Sequence, residues 1–426
     1  MFILYNLLQL VFLVVFFPFI AVFVLCSSKY RDRVPARLGF GIKSKLKSTR
    51  TSDDTPLTFW IHALSVGETT SAEPLIRGLK SHYPQCKVIF SVTTKSGRHV
   101  ADNRLDTLVD VILDGPLDIL PIVHYFHAMI RPDFFILVET DFWPNNLLLL
   151  KQKNIPTMLV NGRVSKKSII GYRRMPFFFG PMFKSFSALC MQTVADKSKM
   201  ESLGIPEASV LTLGNLKFDT HEFLLQNDSK LLQSHLPSGG TIFICGSTHP
   251  GEEEKLISSY IEVRKEHPEL FLIIAPRDIK RAGEIQALAL QQGLTVALKT
   301  GASDGEIDVL ILNTIGELAA YYSICHIAFV GGSLVAKGGH NPIEPAAMGV
   351  PVLFGPHMED FSEIADSLID CGGGKTIKND SELSQALRHY LDDTQQRTTD
   401  GEAAKKFVIN HRGVIDKHIN LIQTLR

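Results

Sequence analysis

The chain has no CxxC pair and no histidine-rich spacing. Its six cysteines, Cys26, Cys86, Cys190, Cys245, Cys325 and Cys371, are scattered, several of them inside apolar runs. That pattern excludes a disulfide framework and a structural zinc site, and it fits free thiols behaving as small hydrophobes in a reducing compartment. An excess of charge is missing too: lysine plus arginine and aspartate plus glutamate are 44 each. With no basic, aromatic-rich repeat either, no nucleic-acid partner is expected. Short internal repeats and low-complexity tracts are lacking as well. What is present is 426 residues with 45% hydrophobic and 21% charged content, enough for two core-bearing globular domains.

A further absence is local. From Met1 to Ser28 no side chain is charged, and FILYNLLQLVFLVVFFPFIAVFVLC is long enough to cross a hydrocarbon core of about 30 Å as a helix, with Pro18 placed to kink it. Basic residues ahead of the apolar run and small residues at a cut are both wanting, so a retained anchor is expected rather than a cleaved signal peptide. A basic flank follows: Lys29, Arg31, Arg33, Arg37, Lys43, Lys45, Lys47 and Arg50 against one acid, Asp32. Such a flank suits the cytoplasmic side and attracts anionic headgroups; a solvated linker is the alternative reading. The body of the chain is then expected on the cytoplasmic side, held at the inner face of a membrane.

Beyond residue 54, short apolar strands alternate with helical stretches. TFWIHAL, KVIFSVTT, VDVIL, FFILVET, TMLVNG and ALCMQT fill the first half; TIFICGS, LFLIIAP, TVALK, VLILN, IAFVGG and PVLFG fill the second. This β–α alternation predicts two tandem Rossmann-like α/β domains with a cleft between them, over 55–220 and 241–426, joined by a linker at 221–240 and preceded by the anchor (1–28) and the basic segment (29–54). Ligands of open parallel sheets bind beyond the carboxyl ends of the strands, so the chemistry is sought there.

The most telling stretch is Ile327–His357, IAFVGGSLVAKGGHNPIEPAAMGVPVLFGPH. Gly331, Gly332, Gly338 and Gly339 permit positive φ and close approach, Asn341 is placed to cap a helix opening at Pro342, and Gly349 suits its end. The exposed N–H groups of such a loop and helix start favour an anion. Glu344, three residues after Asn341, either closes a capping box or accepts from sugar hydroxyls. Elsewhere, Glu68 follows the first strand at a helix start, where dipole stabilisation alone would explain it. Glu139, Asp141 and Trp143 follow the fourth strand, and the two acids alone would also suit a divalent cation. Arg163, Lys166, Lys167, Arg173 and Arg174 are placed to meet a phosphorylated lipid, or form only a solvated helix face. Lys217, in GNLKFD, is placed to neutralise developing charge. His249, in CGSTHPGEEE, reads either as a phosphate contact or as a loop residue.

Taken together, these segments resemble the 3-deoxy-D-manno-octulosonic acid (Kdo) transferases over nearly the whole chain and in order: SVGE, ETDFWPN, NGRVS, GNLKFD, APR, the Ile315–Gly316–Glu317 turn and the second Gly-Gly stretch with Lys337 before it. Departures are Asp141–Phe142 where Glu-Leu is usual, Gly162 for alanine, Asp278 for histidine and Asn313 for aspartate. The resemblance implies an inverting glycosyltransferase of the two-Rossmann-domain (GT-B) type that moves Kdo from CMP-Kdo to lipid IVA, the lipid A precursor, in lipopolysaccharide biosynthesis. It implies Glu68 as catalytic base, Glu139 and Lys217 in support of the transition state, and CMP binding through Pro276, Arg277, Ile315, Gly316, Glu317, Asn341 and Glu344. No metal and no cofactor are implied. The rival readings are a UDP-sugar transferase or epimerase and a membrane-tethered sugar-nucleotide binding protein without turnover.

Overall fold

The computed structural model describes residues 2–27, 31, 33–47, 57–223, 239–301 and 306–426. They form two compact units, Met1–Thr220 with Gly413–Arg426, and His221–Arg412.

The first unit holds seven parallel strands: β1 (Thr58–Ala63), β2 (Lys87–Val92), β3 (Val111–Asp114), β4 (Phe134–Val138), β5 (Thr157–Gly162), β6 (Ala188–Met191) and β7 (Val210–Thr212). Their order is β3-β2-β1-β4-β5-β6-β7. Alternation along each strand feeds two separate cores. Phe59, Ile61, Phe90, Ile136 and Val138 pack on one face, and Trp60, Ile89, Phe135, Leu137 and Leu159 on the other. The strand order reverses between β1 and β4, which opens a crevice at their carboxyl ends.

The second unit repeats the scheme with β8 (Thr241–Thr248), β9 (Leu270–Pro276), β10 (Val296–Leu298), β11 (Val309–Ile311), β12 (Ile327–Val330), β13 (Val352–Phe354) and β14 (Gly374–Thr376), in the order β10-β11-β9-β8-β12-β13-β14. All twelve strands expected from apolar runs are present. The two that the pattern does not reveal, β7 and β14, are three-residue edges, VLT and GKT, too short and too polar to show a period.

One expected boundary moves. The second domain, expected to extend to residue 426, ends at Arg412, and the helix Val414–Leu425 returns to the first unit. Its apolar stripe of Val414, Ile415, Ile419 and Ile422 completes the first core. Gly78 makes room for it, since a Cβ there would stand 2.5 Å from Ile415 Cγ2. Asp219 fixes the return by accepting from the N–H groups of Gly413 (2.9 Å) and Ile415 (2.7 Å). Of the expected linker, residues 224–238 lie outside the described residues.

The basic juxtamembrane segment is likewise more than a linker. Ile42 and Leu46, 2% and 6% exposed, belong to the second core. Arg33 donates through Nε to Asp114 (2.9 Å) and also contacts it through a terminal nitrogen. Arg37 Nε donates to the Gly115 carbonyl (3.0 Å), and its guanidinium sits over the Trp143 ring. Lys29, Asp32 and Arg50 of the flank lie outside the described residues, as does the Lys47 side chain. The expected anchor forms one helix, α1 (Phe2–Cys26), long and apolar enough to cross a membrane.

Because the Arg33–Asp114 pair is largely out of water, Arg33→Glu should lower the free energy of unfolding by about 2 kcal/mol or more, measured by urea melts. An unchanged melt with unchanged binding to anionic vesicles would restore the linker reading.

Candidate active site

Glu68 sits at the start of the helix Val66–His82, directly after β1, and is 4% exposed. Ser65 caps that helix by accepting from the Glu68 N–H (3.4 Å). The Glu68 carboxylate reaches back to accept from the Leu64 N–H, and from the Thr140 hydroxyl at 2.6 Å. The capping arrangement is therefore real, but it does not exhaust the residue. Burial pushes the carboxyl up to about 7, the two hydrogen bonds work against that, and the neighbouring Glu139 and Asp141 charges add to it. The folded state thus keeps its proton between about 4.5 and about 7, so stability falls as pH rises through that window and is fully present below it.

Across the crevice, the loop after β4 is forced into an uncommon backbone. Glu139 and Asp141 both have positive φ, 58° and 73°, as does Asn161 near the end of β5, at 56°. Non-glycine residues held there cost of order 1 kcal/mol or more each, so surrounding contacts must fix them. Asn161 does so in two directions: Nδ2 donates to Glu139 Oε1 (2.7 Å), while Oδ1 accepts from the Leu216 N–H (3.1 Å). Ser71 also donates to Glu139 Oε1 (3.3 Å). One amide thus ties Glu139 to the segment carrying Lys217, whose own N–H donates to Asn215 Oδ1 (3.0 Å).

Asp141 is held by its own chain of bonds. His62 Nε2 lies 3.1 Å from Asp141 Oδ2 and Thr93 donates to the same oxygen at 2.8 Å, while His62 Nδ1 meets Ser91 Oγ (2.7 Å). Burial works to raise this carboxyl, but the bonds and charge of His62, with Thr93, hold it below the usual range. Two neighbouring acids are therefore driven apart, Asp141 towards ionisation and Glu68 towards a proton affinity suited to a base at neutral pH.

In the second unit the expected residues gather at the ends of adjacent strands. Pro276 closes β9, and the Arg277 N–H donates to the Thr248 carbonyl (3.0 Å) with its side chain exposed. Beyond β11, Ile315 is 83% exposed, Gly316 has φ +91°, and Glu317 accepts from Thr314. Asn341 Oδ1 accepts from the Ile343 N–H (3.2 Å) and its Nδ2 donates to Glu344 Oε1 (3.2 Å). The helix there is short, Ile343–Ala347, with Pro342 in the cap position.

The glycine-rich loop after β12, expected to cradle an anionic ligand, holds a carboxylate of the chain in its first turn. Glu252, fully buried, accepts from the N–H groups of Gly332 (2.7 Å), Ser333 (3.0 Å) and Leu334 (2.9 Å), and from His249 N–H (2.9 Å). A nest of backbone donors takes whichever anion is nearest, and Glu252, across the β8–β12 switch point, is covalently present. His249 and His340 face each other beside it, Nε2 to Nε2 at 2.8 Å with rings nearly parallel. Burial, then the Arg277 and His249 charges, push His340 down to about 4.

Residues 32–220 match the family described as 3-deoxy-D-manno-octulosonic-acid transferase (kdotransferase). Over 412 residues the chain is 31% identical to the 3-deoxy-D-manno-octulosonic acid transferase of Haemophilus influenzae, covering 95% of this chain and 94% of that one. The chain belongs to the Kdo transferase family. The transferase of Rickettsia bellii is 28% identical over 427 residues, with 98% of each chain covered. Two solved structures share the fold: UDP-GlcNAc 2-epimerase from Neisseria meningitidis bound to UDP-GlcNAc (TM-score 0.59, 14% identity, 83% of this chain and 99% of that one) and MurG from Acinetobacter baumannii (TM-score 0.55, 16% identity, 87% and 100%). At those identities the likeness is one of architecture. The chain is a glycosyltransferase of the GT-B type.

Within this member of the family, sequence reasoning passed over Thr140, Asn161, His62 and Thr93. Thr140 and Asn161 stand inside motifs already singled out, next to Glu139 and two residues before Arg163. His62 and Thr93 carry no such signal, because only the pairing of β1 with β2 and β4 brings them to Asp141.

If Glu68 works as a base, only its ionised form is active. kcat/KM should then rise about tenfold per pH unit at low pH and level off near the free enzyme's carboxyl value of about 7. Stopped measurements from pH 5 to 9 test this. A profile that is flat down to pH 5 would rule the assignment out.

Proposed function

We propose that this Kdo transferase uses CMP-Kdo as donor and lipid IVA as acceptor, in an inverting displacement at the cytoplasmic face of the inner membrane during lipopolysaccharide biosynthesis. The observation that carries the reading is the buried Glu68 carboxylate at the β1/β4 switch point, with its proton affinity raised to about 7 and Glu139 beside it. Glu68 takes the proton from the acceptor hydroxyl as that oxygen attacks the anomeric carbon. The C–O bond to CMP breaks on the opposite side, and CMP departs with the bonding pair. Glu139 and Lys217 stabilise the charge-separated transition state. Their common tether, Asn161, fits a site built to hold such groups still.

On this reading the first unit receives the acceptor. The second binds CMP through Pro276, Arg277, Ile315, Gly316, Glu317, Asn341 and Glu344. With Glu252 in the first Gly-Gly turn, the donor phosphate is left to Arg277 and the second glycine pair rather than to the N–H groups of 332–334. A nucleoside monophosphate is a stable leaving group, so neither metal nor cofactor is demanded by the chemistry. α1 and exposed basic residues such as Lys43, Lys167 and Arg174 hold the body against anionic lipid.

Lipid IVA incubated with the enzyme and freshly generated CMP-Kdo should gain the mass of Kdo, in excess chelator as readily as without it. Products absent with CMP-Kdo but present with a UDP-sugar would replace the donor, and activity restored by one divalent ion would overturn metal independence. Glu68→Gln should cut turnover by about 10²-fold or more while leaving CMP affinity unchanged. Its amide can still accept from Leu64 and donate to Thr140, so melting should shift by about 1 kcal/mol at most. Wild-type turnover in that variant would remove Glu68 from the mechanism.

A further inference from the structure

The first turns of α1 are docked on the first unit. Tyr5 donates its hydroxyl to Asp118 Oδ2 (3.1 Å), Gln9 Nε2 donates to the Asp118 carbonyl (2.9 Å), and the amides of Asn6 and Asn145 exchange hydrogen bonds at 2.7 and 3.0 Å. These three side chains share one helix face, the part-buried stripe of an otherwise exposed helix. Asp118 is 7% exposed, and its carboxylate also accepts from the N–H groups of Asn145 (3.0 Å) and Asn146 (3.1 Å) at the start of the helix Pro144–Gln152.

The chain that leaves α1 returns to the same place. Arg33 pairs with Asp114, Arg37 Nε donates to the Gly115 carbonyl (3.0 Å), and the Leu117 N–H donates to the Arg37 carbonyl (3.2 Å). The first turns of a 25-residue helix, and the chain beyond it from Arg33 on, are therefore tied to residues 114–118 of one unit. From Gln9 to Cys26 the helix runs about 25 Å. The seven residues from Cys26 to Arg33 reach at most about 24 Å, so Cys26 stands no further than that from Arg33. A crossing helix instead needs its ends on opposite sides of about 30 Å of hydrocarbon, with the body on one side only.

We infer that α1 is monotopic: it lies within one leaflet, with its Tyr5–Asn6–Gln9 face on the enzyme and its other faces among acyl chains, and it does not cross the bilayer. This deepens the reading in which the body is held at a membrane, and it rests on it. The dock decides between lying and crossing. Asn6 and Gln9 would be costly in hydrocarbon if unpaired, and the dock pairs them. Outside that face the helix is apolar all round, with Ile3, Val14, Phe19 and Leu25 each at least 66% exposed, as suits immersion in acyl chains rather than rest on headgroups. Phe177, 64% exposed, adds apolar surface on the helix Pro176–Phe183, whose Phe178 meets the Tyr5 ring. The docked end adjoins Pro144, which directly follows the Glu139–Trp143 loop, so the leaflet borders the site that the acylated acceptor must reach.

The test places a nitroxide at exposed positions by Leu4→Cys, Val14→Cys or Val22→Cys, in a full chain whose exposed Cys26 and Cys371 are replaced by serine. Each protein is reconstituted in phosphatidylethanolamine–phosphatidylglycerol vesicles, and label depth is read by power-saturation spectroscopy. The three depths should agree to within about 10 Å, one helix diameter. Depths staggered through the bilayer by up to about 27 Å between Leu4 and Val22 would overturn the monotopic placement while leaving membrane attachment intact. Protein that stays in the supernatant after vesicle sedimentation would overturn both readings.

Discussion

A parallel sheet covered on both faces leaves charged side chains almost no place except beyond the ends of its strands. In this chain the constraint acts twice. β1 and β4 are buried along their whole lengths, and every strand between Lys87 and Met191 is buried at most of its positions. Glu68, Glu139 and Asp141 are therefore expelled to the β1/β4 switch point. In the second unit, Glu252 and the Gly331–Leu334 turn meet at the β8/β12 switch point for the same reason. The fold does not choose the chemistry, but it decides where polar groups can converge.

The contrast between Glu68 and Glu252 shows how donors set the use of a buried carboxylate. Glu252 accepts four backbone N–H groups, which anchors it and fixes the turn after β12. Glu68 accepts one N–H and one hydroxyl and faces two other acids, so its negative charge is poorly compensated. A well-served carboxylate holds structure; an underserved one has reason to take a proton. Both sit close to a helix start, so their local sequence contexts look alike.

The ends of the chain follow another logic. An apolar helix must be covered by something, and covers differ. The helix Val414–Leu425 finds one in the first core and is fixed by Asp219, immediately before the described chain enters the linker region. α1 has only a narrow polar face served by protein, and most of its remaining surface is exposed. The basic segment between α1 and β1 spends Arg33 and Arg37 on the fold.

The sequence by itself determined the architecture, because runs of apolar residues at strand length, punctuated by glycine and capping residues, admit few arrangements other than two doubly wound sheets. It also marked Glu68, Glu139 and Lys217, whose positions after strands are set by local chain direction. Only the tertiary structure decided what depends on strand order and on chain return. Neighbouring strands bring His62 and Thr93 to Asp141 and let Asn161 join Glu139 to the Lys217 segment, contacts across 22 to 79 residues that no local pattern encodes. The placement of Val414–Leu425 and of α1 belongs to the same class. An apolar face announces that it will be buried, but its partner is fixed by where the chain can reach and by which buried donors and acceptors, Asp219 in one case and Asp118 in the other, still need a mate.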